Sequence, residues 1–292
     1  MTAERVAQVR RFNRTVTARI GALNDNYLAS DRPLGQNRVL WEIGTDGIDI
    51  RSLRTRLDLD SGYASRLLRA LETSGLITVE QIAADGRVRT ARLTEAGRRE
   101  LAVLDQRSDE AAAAILRPLN ELQRDRLVTA MAEVERLLIA STVEVNECDP
   151  TNPDARYCLR TYYSELAVRF REGYDPATSP VGDAEMTRPN GVLLVATLLD
   201  RPVGCGALVF QPDDVALVKR MWVSPEVRRI GLGRRLLIEL EDHARSTGMR
   251  LMRLETTGVL TEAMRMYRTS GYREVAPFGN EPYADHWFEK PL

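Results

Sequence analysis

Val223-Ser224-Pro225-Glu226-Val227-Arg228-Arg229-Ile230-Gly231-Leu232-Gly233-Arg234 decides the reading of the second half of the chain. An apolar, β-branched run precedes it and an amphipathic stretch follows, so it is a loop leading from a strand into a helix N-terminus. Gly231 and Gly233 let a backbone approach a ligand. The first helical turn adds unpaired N–H groups and the positive end of a dipole. Arg228, Arg229 and Arg234 bring charge suited to phosphate oxygens. The combination predicts a pyrophosphate-binding turn formed by Arg228, Arg229, Ile230, Gly231, Leu232, Gly233 and Arg234. The R-x-x-G-x-G spacing is weak evidence alone; its place between strand and helix, and a second motif downstream, make it specific.

Working outward, the strand before the turn is Val215–Val223 and the helix after it Gly231–Gly248. A strand over Leu251–Glu255 and a helix over Thr261–Ser270 follow. Upstream, a helix is predicted over 160–173, and strands Gly191–Leu199 and Gly204–Phe210 are joined by Asp200-Arg201-Pro202. The predicted order is strand, helix, three strands, helix, strand, helix, two strands. The second motif is Leu254-Glu255-Thr256, then Ala263-Met264-Arg265-Met266-Tyr267-Arg268-Thr269-Ser270-Gly271-Tyr272.

Together the two motifs resemble those of GNAT-family N-acetyltransferases, whose A-x-x-x-Y-x-x-x-G-[FY] pattern the second one matches. The resemblance implies an α/β fold with a mixed, splayed sheet and acetyl-CoA as cofactor. It implies that the backbone of Met221, Trp222 and Val223 pairs with the pantetheine arm as an added strand does. It makes Tyr267 the general acid beside the CoA sulfur. Glu255, at a strand end, is the candidate base acting through water, or else a solvated carboxylate. The Val223 N–H is the candidate for polarising the thioester carbonyl. One departure stands out: many members carry Asn three residues before the motif's Ala, and here that residue is Leu260. For the acceptor amine, Glu281, Tyr283 and His286 are candidates, with Tyr162, Tyr163 and Glu165 behind them. Sheet packing by Tyr283, Trp287 and Phe288 is the competing explanation. Cys205 reads as a buried core thiol, not a nucleophile.

The first half is helical in pattern. Helices are predicted over 4–28 and 36–43, from Asp49 as cap to Leu57, and from Asp60 or Ser61 to about Ser74 with Gly75 past its end. Two β-rich runs, Leu76–Ile82 and Val88–Thr94, flank Asp85-Gly86, a hairpin signal. Helices over 95–117 and 120–141 are separated by Pro118, and Leu127, Met131, Val134 and Leu138 give the second an apolar face.

This order, with the stretch Leu57–Glu72 and the Asp-Gly-Arg turn, resembles the winged helix-turn-helix of MarR-family regulators over about residues 1–142. The resemblance implies a homodimer on a pseudo-palindromic double-stranded DNA operator. Tyr63, Ser65, Arg66 and Arg69 lie within two turns of the helix that would enter the major groove. Arg87 and Arg89 would reach phosphates or the minor groove, and Ser61 and Ser65 are candidate phosphate donors.

Composition sets the outer limits. A chain of 292 residues predicts two domains, and a net charge of −1 requires any nucleic-acid contact to use local patches. Two histidines and three widely spaced cysteines suggest neither a metal site nor a disulfide framework. Of 41 basic residues, Lys219 and Lys290 are the lysines. Glu144–Arg156 has linker composition, so the expected division is 1–144, a linker over 145–156, and 157–292. No secretory signal or membrane-length apolar run is visible, which predicts a cytoplasmic protein. The expected function is a DNA-binding regulator fused to an N-acetyltransferase. The alternative is a regulator whose second domain senses acetyl-CoA or an amine without turnover.

Overall fold

The computed structural model describes residues 2–23, 27–81, 89–170, 173–178 and 181–292. The chain forms two compact units, Met1–Met131 and Ala132–Leu292.

The first unit contains α1 (Ala3–Arg19), α2 (Leu34–Ile43), β1 (Ile48–Asp49), α3 (Ile50–Leu57), α4 (Ser61–Thr73), β2 (Ile77–Gln81), β3 (Arg89–Leu93) and α5 (Glu95–Leu116). The division between units falls inside α6 (Glu121–Ser141). Side-chain caps start two of these helices: Asp49 accepts from Ser52 N at 2.9 Å, and Asp60 accepts from Tyr63 N at 2.8 Å. In α4 the buried residues are Ala64, Leu67, Leu68 and Leu71, a single stripe at i, i+3, i+4 and i+7. That stripe joins Val39, Leu40, Ile43, Leu53, Leu76 and Leu93 in one core. The sheet is antiparallel in the order β1-β3-β2. β1 was not visible in the sequence because a pair of residues carries no period. The expected turn through Arg87 lies outside the described residues. α1 ends at Arg19 rather than at 28. No residue of α1 or α6 is buried, and Val9, Met131 and Leu138 are at least half exposed.

The second unit runs β4 (Glu144–Glu147), α7 (Pro153–Arg169), β5 (Gly191–Leu198), β6 (Arg201–Gln211), β7 (Val215–Val223), α8 (Leu232–Ser246), β8 (Leu251–Thr256), α9 (Thr261–Thr269), β9 (Arg273–Val275) and β10 (His286–Pro291). This is the expected order, but the boundaries correct the linker over 145–156. Residues 144–147 pair antiparallel with β5, from Glu144↔Thr197 to Glu147↔Leu194. Asn152 accepts from Asp154 N at 2.9 Å and Pro153 opens the next helix, seven residues before the expected start at 160. The prolines and asparagines read as linker composition therefore include helix-start signals.

The sheet order is β4-β5-β6-β7-β8-β10-β9, antiparallel except for β7 with β8. Apolar residues of α8 (Leu232, Leu236, Leu237, Leu240, Ala244) pack with Ala216, Val218, Leu254 and Phe288 of the sheet. Ala155, Cys158 and Leu159 of α7 belong to a separate core with Leu193, Cys205 and Trp222. Among the described residues no helix is long and apolar enough to cross a membrane.

Candidate active site

The site begins where the sheet opens. Parallel pairing of β7 with β8 runs from Val215↔Leu251 to Val218↔Leu254 and stops, although β7 continues to Val223 and β8 to Thr256. On its other side β7 is bulged: Cys205 pairs with Trp222 and Ala207 with Lys219, so Arg220 and Met221 face the single residue Gly206. Arg220 carries the bulge in the left-handed region, φ +58°. The bulge turns the end of β7 away from β8 and makes a gap.

The mouth of the gap is the start of α8. Gly231 sits at φ +86°, a conformation that favours glycine. Arg235 N bonds the Gly231 carbonyl at 3.0 Å, so the N–H groups of Leu232, Gly233 and Arg234 have no intrahelical acceptor. A Cβ on Gly231 would meet nothing within 4 Å. This is an open anion cradle.

A cavity of about 780 Å³ runs from that cradle along the gap. Its walls include Met221, Trp222, Val223, Arg228, Arg229, Gly231, Leu232, Gly233 and Arg234, with Tyr162, Glu165 and Arg169 of α7 opposite and Leu260, Ala263 and Tyr267 at the inner end. Of the turn residues named from the sequence, Ile230 is not part of this lining; it packs on the α8 core.

The three arginines of the motif differ in availability. Arg229 is exposed and, among the described residues, has no ion pair. Arg234 donates to Thr269 Oγ1 at 2.7 Å. Arg228 is held from two sides: its Nε donates to the Val223 carbonyl at 3.0 Å, and its Nη2 reaches both Glu165 oxygens at 2.7 and 2.6 Å. Glu165 also accepts from Trp222 Nε1 at 2.9 Å and pairs with Arg169 at 2.7 Å. Burial alone would raise the Glu165 carboxyl, but hydrogen bonds from Arg228 and Trp222 and the adjacent guanidinium charges hold it below the usual carboxylate range. Glu165 thus ties α7 to the end of β7. This is a more specific place than the acceptor contact the sequence suggested.

A smaller chamber of about 80 Å³ continues past Tyr267. Lys219, Arg220, Glu255, Glu281, Tyr162, Phe170, Tyr174 and Tyr283 line it, together with Tyr267 and Met221, which also line the larger cavity. Tyr267 is buried, 5 % exposed, and burial pushes its phenol pKa up, so the group stays protonated. Its ring packs on Tyr272 and Phe288, with centroids 5.9 and 6.2 Å away.

The sequence reading missed Lys219. Its ammonium lies 2.7 Å from Glu255 and 3.0 Å from Glu281, and the three side chains are 8, 5 and 13 % exposed. One cation therefore bridges two carboxylates on the chamber floor. Gly279 belongs to the same arrangement: a Cβ there would lie 1.7 Å from Glu255 Oε1. The available signal was that a nearly lysine-free chain places a lysine inside an apolar strand. Lys219→Met is expected to cost about 3–5 kcal/mol, because removing one partner leaves buried charge uncompensated. Urea denaturation measures it, and a loss below about 1 kcal/mol would assign the triad the worth of a solvated surface pair.

The other acceptor candidates separate. Glu281 and Tyr283 line the chamber; the Tyr283 hydroxyl also accepts from Asp175 N at 2.9 Å. His286 lines neither cavity: its Nδ1 lies 2.5 Å from Glu274 and its backbone pairs with Thr256. It falls on the sheet-pairing strand β10, which turns it away from the gap. Tyr163 stacks over Arg220, 5.2 Å from ring centroid to guanidinium, and lines neither cavity. Trp287 and Phe288 are strand residues of β10, as the packing explanation had it, with Phe288 fully buried. Cys205 is fully buried, which fits a core thiol. Leu260, the departure noted in the second motif, lines both cavities.

A helix N-terminus facing a gap in a mixed sheet, with a buried phenol at the gap's inner end, fits a nucleotide-linked thioester and defines an acyltransferase site. The sequence profile described as acetyltransferase (GNAT) family matches residues 159–272. An IAA acetyltransferase of Azospirillum brasilense is 37% identical over 112 residues, which are 37% of this chain and 72% of that protein. An uncharacterized N-acetyltransferase of Schizosaccharomyces pombe is 31% identical over 133 residues, 44% of this chain and 80% of that one. A GNAT-family acetyltransferase structure from Elizabethkingia anophelis, solved with acetyl-CoA bound, covers 52% of this chain and 99% of its own at 15% identity and a TM-score of 0.39. The chain belongs to the GNAT acetyltransferase family. It is an N-acetyltransferase and acetyl-CoA is its acetyl donor.

Proposed function

We propose that the second unit acetylates a small primary amine by direct attack, and that the first unit binds double-stranded DNA as a homodimer. The acceptor chamber carries the first part. A space of about 80 Å³ walled by Phe170, Tyr174 and Tyr283 suits a small molecule or amino acid better than a protein side chain on a backbone.

Acetyl-CoA supplies an acetyl group activated as a thioester. The N–H groups of Leu232, Gly233 and Arg234, with Arg229 and Arg234, receive the diphosphate. The backbone of Met221, Trp222 and Val223 holds the pantetheine arm along the open edge, and an N–H of this stretch polarises the thioester carbonyl. Glu255 takes the acceptor's ammonium proton through water, and Lys219, 2.7 Å away, holds that carboxylate in place. Tyr267 gives its proton to the departing thiolate sulfur and regains one from the nitrogen, which loses its second proton as it becomes the amide. An amine screen with free-thiol detection tests the reading. Tight acetyl-CoA binding with no thiol release from any amine would leave the second unit a sensor.

For the first unit, the supporting observation is the outer face of α4. Ser61, Tyr63, Ser65, Arg66 and Arg69 are exposed while its inner stripe is buried. The Arg66 guanidinium lies over the Tyr63 ring at 5.5 Å, and Arg89 is exposed at the start of β3. Exposed apolar residues on α1 and α6, among them Val9, Phe12, Met131 and Leu138, support a second copy as the dimer partner. Arg66→Ala is expected to weaken binding to the cognate operator by about 1–3 kcal/mol at fixed salt. Equal affinity in a fluorescence-anisotropy titration would remove α4 from the major groove.

A further inference from the structure

We propose that Cys205 is a positioning residue for the acetyl-transfer step, its thiol setting the direction of the Met221 N–H that meets the thioester carbonyl. The inference rests on the acetyltransferase reading of the gap and deepens it.

One peptide unit connects the thiol to the gap. In the bulge, the carbonyl of Arg220 and the N–H of Met221 belong to the same planar trans amide, so they point in opposite directions. Cys205 Sγ, on β6, donates to the Arg220 carbonyl at 3.2 Å. That carbonyl therefore faces β6, and the Met221 N–H faces the β8 side. There the β7–β8 ladder has already ended at Val218↔Leu254, so no strand occupies the space. Met221 lines both the cofactor cavity and the acceptor chamber, which places this N–H at the junction where the acetyl group passes from one to the other.

The Cys205 bond falls where the bulge interrupts the regular β6–β7 register, at Arg220 and Met221. The local conformation does not favour this peptide: Arg220 holds φ +58°, which costs a residue with a side chain. A thiol donor to the Arg220 carbonyl stabilises the amide in this orientation. Cys205 is fully buried, and Cys158 beside it together with burial pushes its thiol pKa well up, so it remains an S–H donor. Cys158 in turn donates to the Gly204 carbonyl at 3.5 Å, the residue next to Cys205. The two thiols thus work as donors to backbone carbonyls within the core, one of which is the back of the amide that faces the reaction. The Val223 N–H, picked out from the sequence, lies two residues along the same strand edge and faces the same way by alternation. It sits nearer the pyrophosphate turn, next to Arg228, which suits the pantetheine arm rather than the acetyl end.

The test reads the thioester carbonyl directly. Acetyl-CoA carrying carbon-13 at the acetyl carbonyl is bound to wild-type protein and to Cys205→Ala, Cys205→Val and Cys205→Ser, and the carbonyl stretch is followed by isotope-edited infrared spectroscopy. Calorimetry with CoA itself measures cofactor affinity. In wild type the stretch is expected to lie below its free-solution frequency, as a hydrogen-bonded carbonyl requires. In the alanine and valine variants it should return most of the way to that frequency while CoA affinity holds. The serine variant should keep the shift, because a hydroxyl can donate to the same carbonyl. Turnover of the alanine variant should fall roughly tenfold, less than the ~10²–10³ lost when an oxyanion donor is deleted outright. An identical shift in all four proteins overturns the role of Cys205 and leaves the acetyltransferase reading intact. No shift in wild type overturns the placement of the Met221 N–H. Equal loss of shift and CoA affinity in all three variants, serine included, makes Cys205 a packing residue only. Should alanine not fold, valine fills the same volume without a donor and serves the comparison.

Discussion

Tyr267→Phe is expected to lower turnover by about 10²-fold or more while leaving acetyl-CoA affinity unchanged, the size of effect expected for a lost general acid. The substitution removes one hydroxyl and keeps the ring. That ring is 5 % exposed and packs against Tyr272 and Phe288, so the core contacts that hold α9 survive. On the proposed reading the hydroxyl has no role in holding the diphosphate, since the turn at residues 231–234 and Tyr267 line different parts of the cavity. Burial raises the phenol pKa, which at first sight makes Tyr267 a poorer acid. A thiolate released beside Tyr267 would be desolvated too, and desolvation disfavours both anions. The raised phenol would therefore remain closer to the thiol than its own shift suggests, the intrinsic gap being about 1.5 units. Burial also favours the protonated phenol that a general acid needs. Free-thiol release with an acceptor from the amine screen gives turnover, and calorimetry gives affinity. Turnover equal to wild type would exclude Tyr267 from the proton transfer and leave it a packing aromatic.

The parts of this site that the sequence disclosed were those written locally. A glycine at a helix start, a strand before it and a tyrosine at fixed spacing after it each report a short-range requirement, so the open start of α8 at Gly231 and the placement of Tyr267 in α9 were legible. So were the Asp49 and Asp60 caps, where the side chain and the amide it bonds lie three residues apart. The parts that stayed hidden depend on distant pairings. Lys219 meets Glu255 and Glu281 across 36 and 62 residues, and no period in the chain connects them. The bulge at Arg220 is a property of how β7 pairs with β6, which the run Val215–Val223 alone does not encode. Glu165 looked like an acceptor contact because its partners Trp222 and Arg228 are 57 and 63 residues away. β4 was concealed for another reason: Glu144-Val145-Asn146-Glu147 is an edge strand with three polar residues out of four, and such a segment imitates a linker. His286 shows the converse error, a polar residue near the right region whose strand register directs it to Glu274.

Gly231→Glu is expected to weaken acetyl-CoA binding by about 10²-fold, and comparison with Gly231→Ala separates the charge from the strain. Two effects on stability oppose each other. A side chain at φ +86° is strained by about 1–3 kcal/mol, although a Cβ would meet nothing within 4 Å. A carboxylate at the start of α8 gains about 0.3–1 kcal/mol from the helix dipole. The net loss without ligand is therefore about 0–3 kcal/mol. With ligand the signs align. The new carboxylate stands where the diphosphate would receive the N–H groups of Leu232, Gly233 and Arg234. At ~6 Å and an effective dielectric near 20, each phosphate charge is repelled by about 2–3 kcal/mol before salt screening. Gly231→Ala separates the causes, since it carries the strain without the charge. It should lose far less affinity than the glutamate variant, and the glutamate defect should shrink as ionic strength rises. If alanine and glutamate weaken binding equally, backbone strain and not phosphate recognition would explain why glycine stands at 231. If neither weakens it, the diphosphate is not held at the start of α8, and the chemistry assigned to Tyr267 and Glu255 would lose its cofactor.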